Sequence, residues 1–355
     1  MAASAAKTKT KGLGHAARDP PHTQELVSSA DREFGYRAMT IADSEQAVSA
    51  LAPTVVDQAS PAIASRAHYW PFVVPALVVV LAVILIPWVF TLWMSVHEWK
   101  LGGAYAFVGL ENYLRLPRDP RFLDSIWYTL IYAGLSVILP VIFGTLAALV
   151  FHNEFPMRGI LRGIFVAPMM ATPVAIAVIW TMMFNPQLGV LNFLLSLVGI
   201  PPQLWVFDAK TVIPSLVLVE TWQWTPLVML IVLGGLAALP TEPYESAEID
   251  GASAWQKFRY ITWPMMLPFL MIAVIIRLID ALKSFDIIFA ITQGGPGTAS
   301  ETINLYLYQT AFAYYDLGYG SAIVVVFFGI IVALSMATLY LRQRTQWTDA
   351  GVSAQ

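Results

Sequence analysis

Residues Tyr244–Pro264 read YESAEIDGASAWQKFRYITWP, and their polarity sets them apart from the chain around them. Glu245, Glu248, Asp250, Lys257 and Arg259 all fall in this one stretch. The 355-residue chain as a whole is 57% hydrophobic and only 12% charged. Soluble domains carry about 25% charged residues, so the composition is that of an integral membrane protein with a polar interruption. Thr241, with Pro243 just after it, starts a helix. Asp250-Gly251 signals a turn in which Gly can take left-handed backbone. Ser253 and Gln256 form a capping box for a second helix. That helix spaces Trp255, Phe258 and Ile261 three residues apart, on one apolar face, and Pro264 is expected to end it. The segment reads as an amphipathic helical hairpin. It suits either a surface loop over the inner ends of the neighbouring spans or docking into a partner's groove.

Working outward, six apolar stretches lie near the roughly 20 residues that a bilayer core requires. They are about 71–95, 125–150, 163–184, 212–236, 265–292 and 322–341. Pro87, Pro140, Pro173 and Pro226 fall inside them, which suggests a bundle with kinks whose backbone is re-satisfied by neighbouring helices. The expected fold is all-α, a polytopic membrane helix bundle occupying 69–345. Residues 1–68 are rich in Ala, Ser, Thr and charge, lack apolar periodicity, and read as a disordered tail. They are too mixed in charge for the start of a signal peptide. Residues 346–355 form a short C-terminal tail.

Lys and Arg in the loops set the orientation. With the N-terminal tail inside, Arg66, Arg158, Arg162, Lys257, Arg259, Arg342 and Arg344 are cytoplasmic and close to the membrane. Lys100, Arg115, Arg118, Arg121 and Lys210 are outside. The loop from Ile291 to Gly320 has no Lys or Arg, which supports an outer position. Both termini and the hairpin at 241–264 are then cytoplasmic. A net charge of −3 is too small to suggest nucleic acid, and no basic cluster argues for lipid headgroups. With no cysteine, thiol catalysis, disulfides and cysteine metal sites are excluded. His15, His22, His68, His97 and His152 are scattered, so no metal site is expected.

The hairpin resembles the cytoplasmic motif of permease subunits of bacterial ATP-binding cassette importers. That motif runs E-A-A, three residues, G, nine residues, I, one residue, L-P. Here it is Glu245-Ser246-Ala247, then Gly251, then Ile261, Thr262 and Trp263-Pro264. Ser246 stands for Ala and Trp263 for Leu. The stretches FVGLENY (Phe107–Tyr113), FNPQLGVLNFLL (Phe184–Leu195) and ITQGGPGTASETINLYLYQTAF (Ile291–Phe312) look like the carbohydrate-uptake branch of that family, which handles oligosaccharides, polyols or glycerol phosphates. The likeness covers about residues 70–345.

The resemblance implies a type I importer permease fold in a bacterial inner (cytoplasmic) membrane. It implies a coupling helix that docks on a separate ATPase. In that reading Glu245 is the polar anchor, Ala247 a close-packing position and Gly251 the turn, with Ser246, Asp250, Ile261 and Pro264 completing the motif. The implied partners are a second permease, two copies of an ATPase that use ATP and Mg, and a periplasmic or lipid-anchored solute-binding protein. Span one is implied to embrace the partner permease. The chain itself has no G-x-x-x-x-G-K-[ST] phosphate loop, so hydrolysis is assigned to the partner and not to this subunit. Its outer loops leave no room for a substrate-capturing domain.

Polar residues inside the membrane are candidates for function. Span four holds Glu220, Thr221, Trp222, Gln223, Trp224 and Thr225 before Pro226. Aromatic faces suit sugar C–H surfaces, and Glu and Gln suit hydroxyls. The alternative is that the two Trp pack between helices or face lipid and that Glu220 bonds a neighbouring helix. Span five holds Arg277, Asp280, Lys283 and Asp286 at three-residue steps with alternating sign, and mutual pairing along the helix is the simplest structural account. Lys283, Ser284 and Asp286, nearer the outer end, are further pathway candidates. A self-sufficient secondary transporter or channel is the competing reading. It predicts internal repeats and charges in several spans, and it gives the hairpin no task. A membrane enzyme lacks any clustered His, Asp-rich motif or Ser/His pair.

Overall fold

The computed structural model describes residues 70–345, apart from 101 and 104. The tails expected at 1–68 and 346–355 lie outside the described residues. The chain runs through α1 (Trp70–Ser95), a ribbon of β1 (His97–Trp99) and β2 (Tyr105–Phe107), α2 (Glu111–Arg115) and α3 (Pro120–His152). It continues through α4 (Arg158–Val166), α5 (Pro173–Met183), α6 (Val190–Leu197) and α7 (Val212–Ala237). Then come α8 (Glu242–Ile249), α9 (Ala254–Lys257), α10 (Trp263–Leu282), α11 (Asp286–Thr292), α12 (Ile303–Tyr308) and α13 (Leu317–Thr345). Residues from Val80 onward form one compact unit, and of the unit before it only the first turns of α1 are described. The antiparallel ribbon, with His97 opposite Phe107, is the described β-structure in a chain otherwise built of helices.

Five helical segments are long and apolar enough to cross a membrane: those in α1, α3, α7, 254–282 and α13. The stretch expected to cross at 163–184 does so, if at all, as a broken helix. Arg158–Met170 and Pro173–Met183 are bent 98° from one another. Proline disfavours helical backbone at the residue before it, and Thr172 is extended at φ −69°, ψ 142°. The stretch expected at 265–292 also divides, because α10 ends at Leu282 and helix resumes only at Asp286. The Asn304 amide donates to the carbonyls of Leu282 (2.9 Å) and Ser284 (3.4 Å), which satisfies acceptors that the helix end leaves free.

Helix α7 is the centre of the bundle. In its most apolar window 67% of residues are buried, against 0% in α1 and 17% in α13. Helices α3 and α7 run parallel. Tyr132 meets Glu220, Gly144 faces Val228, and Ala148 and Phe151 share a core with Val232 and Leu236. A Cβ on Gly144 would lie 2.6 Å from Val228 Cβ, so only glycine lets the two backbones come this close. Helix α10 returns antiparallel to α7, with Phe269 against Gly235 and Arg277 against Glu220. The ends of α3 and α7 that lead to α4 and α8 therefore lie together.

The opposite end of the bundle is fastened by polar side chains. Asp119 caps α3, accepting from the backbone N–H of Arg121 (3.1 Å) and Phe122 (3.4 Å). The hydroxyls of Tyr306 (2.5 Å) and Tyr319 (2.7 Å) donate to its other oxygen. Burial raises the Asp119 pKa, but these hydrogen bonds outweigh it and hold the carboxyl below the usual carboxylate range. Arg121 forks onto the buried Glu301 with both contacts at 2.7 Å. Beside them Asn112 donates to the carbonyls of Ser95 and His97, so the FVGLENY stretch ties the end of α1 to the bundle.

Candidate functional site

The hairpin at 242–264 forms as its sequence dictates, with one correction. Helix α8 has Pro243 in its first turn. The turn follows, with Gly251 at φ +73° and open space around it. The Ala252 N–H donates to Ala247 O at 2.9 Å and closes that turn. Ser253 and Gln256 cap α9 reciprocally. The correction concerns Pro264, which does not stop the second arm. Residues Ala254–Leu282 form one continuous membrane-length helix. A widened turn at Phe258–Thr262, with Trp263 N–H donating to Phe258 O, absorbs the ring and the missing N–H of Pro264. The hairpin's second arm is thus a rigid extension of α10.

No residue of α8, α9 or the widened turn is buried. Ile249 is 88% and Trp255 69% exposed, and Glu245, Ser246 and Asp250 lie at the surface. The two arms are stitched by Lys257 to Glu248 at 2.7 Å and by the Tyr244 hydroxyl to Thr262 at 3.0 Å. Lys257 holds the Glu248 carboxyl below its usual range, first through their hydrogen bond and then through its charge. Pro243, Tyr260, Ile261 and Met265 line a groove of about 350 Å³ at the root of the hairpin. The result is a preformed knob with apolar and acidic groups turned outward.

The polar residues of span four divide by face. Glu220, Gln223 and Thr225 are buried, whereas Trp222 is exposed and stacks edge-on against Trp180. Trp224 lies beneath the Arg277 guanidinium, 4.9 Å from ring centroid to Cζ. Residues two apart on a helix point about 200° apart, so the two Trp do not share a surface. The charges of span five are not paired chiefly with each other. Arg277, fully buried, binds Glu220 across the interface at 2.9 Å and the Ser136 carbonyl at 3.3 Å, while Asp280 stands 4.0 Å away. An arginine between two packed helices finds the buried carboxylate opposite it before a half-exposed neighbour on its own helix. Tyr132 and Ser284 bond the other Glu220 oxygen at 3.0 and 3.3 Å. Lys283 and Asp286 are exposed; Lys283 opens the break and Asp286 begins the helix after it.

Sequence reasoning picked out Glu220 and Ser284 but missed that Tyr132 and Arg277 complete their network. A single Tyr hydroxyl in an apolar run carries no signal. Arg277 did carry one, as a charge deep in a span. Four further buried polar atoms there have no hydrogen-bond partner among the described residues: Arg277 Nε and Nη1, Ser136 Oγ and Gln223 Oε1.

The family model for the binding-protein-dependent transport system inner membrane component matches residues 140–346. The trehalose/maltose transport system permease protein MalF of Thermococcus litoralis is 38% identical over 274 residues, which is 76% of this chain and 91% of that protein. The probable ABC transporter permease protein y4oQ of Sinorhizobium fredii is 35% identical over 272 residues, 76% of this chain and 88% of that one. The crystal structure of a bacterial ABC transporter involved in the import of the acidic polysaccharide alginate shares the fold. Its TM-score is 0.69 at 20% identity, covering 78% of this chain and 94% of that one. With an exposed hairpin set rigidly on a membrane bundle, the chain belongs to the binding-protein-dependent transport system inner membrane components and is a multi-pass permease subunit of an ABC transporter.

Proposed function

We propose that this permease forms one half of the path by which a sugar or related polyol is imported, and that residues 242–264 couple that path to a separate ATPase. The observation that carries the proposal is the hairpin itself. It is helical, capped and continuous with α10, yet it buries none of its motif residues. A rigid knob with no cover of its own fits a cleft on a partner. Glu245 makes no side-chain hydrogen bond among the described residues and is free to anchor there. ATP and Mg are used by the ATPase, present in two copies, and a second permease completes the path. A binding protein delivers solute at the end fastened by Asp119 and Arg121. The hairpin and both termini are cytoplasmic and the membrane is the bacterial inner membrane, as the loop arginines and lysines favour.

The sugar assignment is supported by relatives named for trehalose and maltose. Within the membrane Glu220, Gln223, Trp224 and Thr225, with Trp222, Lys283, Ser284 and Asp286 nearer the surface, are the proposed path residues. The test is the assembled importer in proteoliposomes with its binding protein, supplied with disaccharides, polyols or glycerol phosphates. Solute-stimulated ATP hydrolysis is expected with one sugar class. Stimulation by none of the three would overturn the sugar assignment. Solute flux without any ATPase would favour the secondary-transporter reading.

A further inference from the structure

Helix α4 has a composition unlike that of the spans. Its sequence, RGILRGIFV, places Ile160, Ile164, Leu161 and Phe165 within one arc at 100° per residue. Arg158 and Arg162 border one edge of that arc, and Gly159, Gly163 and Val166 occupy the far side. None of its residues is buried. Ile160, Leu161 and Ile164 are 60%, 44% and 66% exposed. The helix touches the bundle through Phe165, 5.6 Å from Phe151 at the end of α3, and through Val166, which lies outside the arc and packs on the same core. The segment containing α4 is bent 98° from α5. If α5 stands along the membrane normal, α4 lies nearly in the membrane plane.

Two features indicate what covers the exposed stripe. The first is continuity. Ile138, Ile142, Leu146 and Val150 form an exposed stripe along α3 at four-residue spacing. Its last member, Val150, adjoins Phe151, which meets Phe165 of α4, and Val174, Val178 and Met182 form a second exposed stripe at four-residue spacing on α5. The second is charge. Arg162 has no ion pair or side-chain hydrogen bond among the described residues. Arg158 has only a 4.0 Å contact to Glu154, whose side chain is 97% exposed. An apolar stripe bordered by two half-exposed guanidinium groups, one unpaired among the described residues and one weakly paired, is the pattern of a helix lying at a membrane surface.

We propose that α4 lies in the interface of the leaflet on the hairpin side. Ile160, Leu161 and Ile164 enter the acyl boundary, and Arg158 and Arg162 bind the phosphates of anionic lipid. This is a two-arginine site and not a polybasic run, so it holds a few bound lipids close to the hairpin and does not anchor the protein. The inference does not depend on which solute is carried.

The test uses the absence of cysteine. Single Ile164→Cys and Gly159→Cys variants of the full chain, in the assembled importer, are spin-labelled and placed in nanodiscs of phosphatidylcholine with phosphatidylglycerol. At 164 the label should meet oxygen and be shielded from a polar nickel reagent; at 159 the order should reverse. A label at 164 that is open to the nickel reagent, or shielded from both reagents, would overturn the proposal, the latter indicating a protein cover. In parallel, Arg158→Gln with Arg162→Gln should lower phosphatidylglycerol retention roughly thirty-fold, while Lys at both positions preserves it. Equal retention by the Gln variant would remove the headgroup part of the proposal.

Discussion

Glu245 and Glu220 are the same residue type in one chain, and the structure uses them in opposite ways. Glu245 stands on the exposed face of a capped hairpin with no side-chain partner among the described residues. Glu220 is buried between α7, α3 and α10, and Arg277, Tyr132 and Ser284 together occupy both of its oxygens. The first is the surface proposed to meet the ATPase. The second is a polar lock inside the membrane, where an unpaired charge is costly. In the proposed reading, function at the hairpin depends on shape and an exposed carboxylate, whereas at the lock it depends on keeping the pair intact while groups beside it remain unsatisfied.

The comparison is broken most forcefully at the lock. Arg277→Met leaves Glu220 buried without its cation and should destabilise the chain by about 3–5 kcal/mol, read by denaturant unfolding in mild detergent. Adding Glu220→Leu should restore most of that loss. A single variant as stable as the parent would mean that the ion pair holds nothing together. At the hairpin the expectation reverses. Gly251→Pro demands a φ near −65° where the chain has +73°. Uptake should fall about ten-fold, within the range of site-to-site coupling, while the melting temperature of the bundle barely moves. Normal uptake in this variant would sink the coupling assignment.

Residues beside the lock sharpen the contrast. Gln223→Ala and Trp224→Ala should each lower solute-stimulated turnover about three-fold, with Trp224→Ala also losing about 1–2 kcal/mol of stability from its contact with Arg277. Unchanged turnover in both places the path elsewhere, for example in the second permease. The smallest effect is expected at Glu248. Its folded-state pKa is lowered, so its pairing with Lys257 contributes above the usual carboxylate range and is lost as pH falls through the depressed value. Because the pair is exposed, Glu248→Gln should leave the melting temperature at neutral pH unchanged. A clear drop would mean the arms of the hairpin rely on that pair.

The hairpin was legible because its devices are local. Pro243, Asp250-Gly251 and the Ser253–Gln256 box each act within four residues, and each appears where the spacing placed it. The second arm was misread at Pro264 because a widened turn just before a proline has no sequence signature. The spans were legible as apolar lengths, but the breaks at Thr172 and Lys283–Phe285 were not, since hydropathy continues across them. The lock was half legible. Charge in a span marks a residue for attention, but its partner is fixed by which helices pack together. The pairing of Arg277 with Glu220 follows from the antiparallel approach of α10 to α7, which no single stretch encodes.

The most direct test of the account is affinity purification of this chain from its own membrane in mild detergent, with co-purifying proteins identified by mass spectrometry. The parent chain is run beside a Glu245→Lys, Gly251→Pro double variant. The account predicts a second permease in both preparations, with an ATPase abundant in the parent and depleted about ten-fold or more in the variant. Equal ATPase in both preparations, or a lone chain in each, would contradict it.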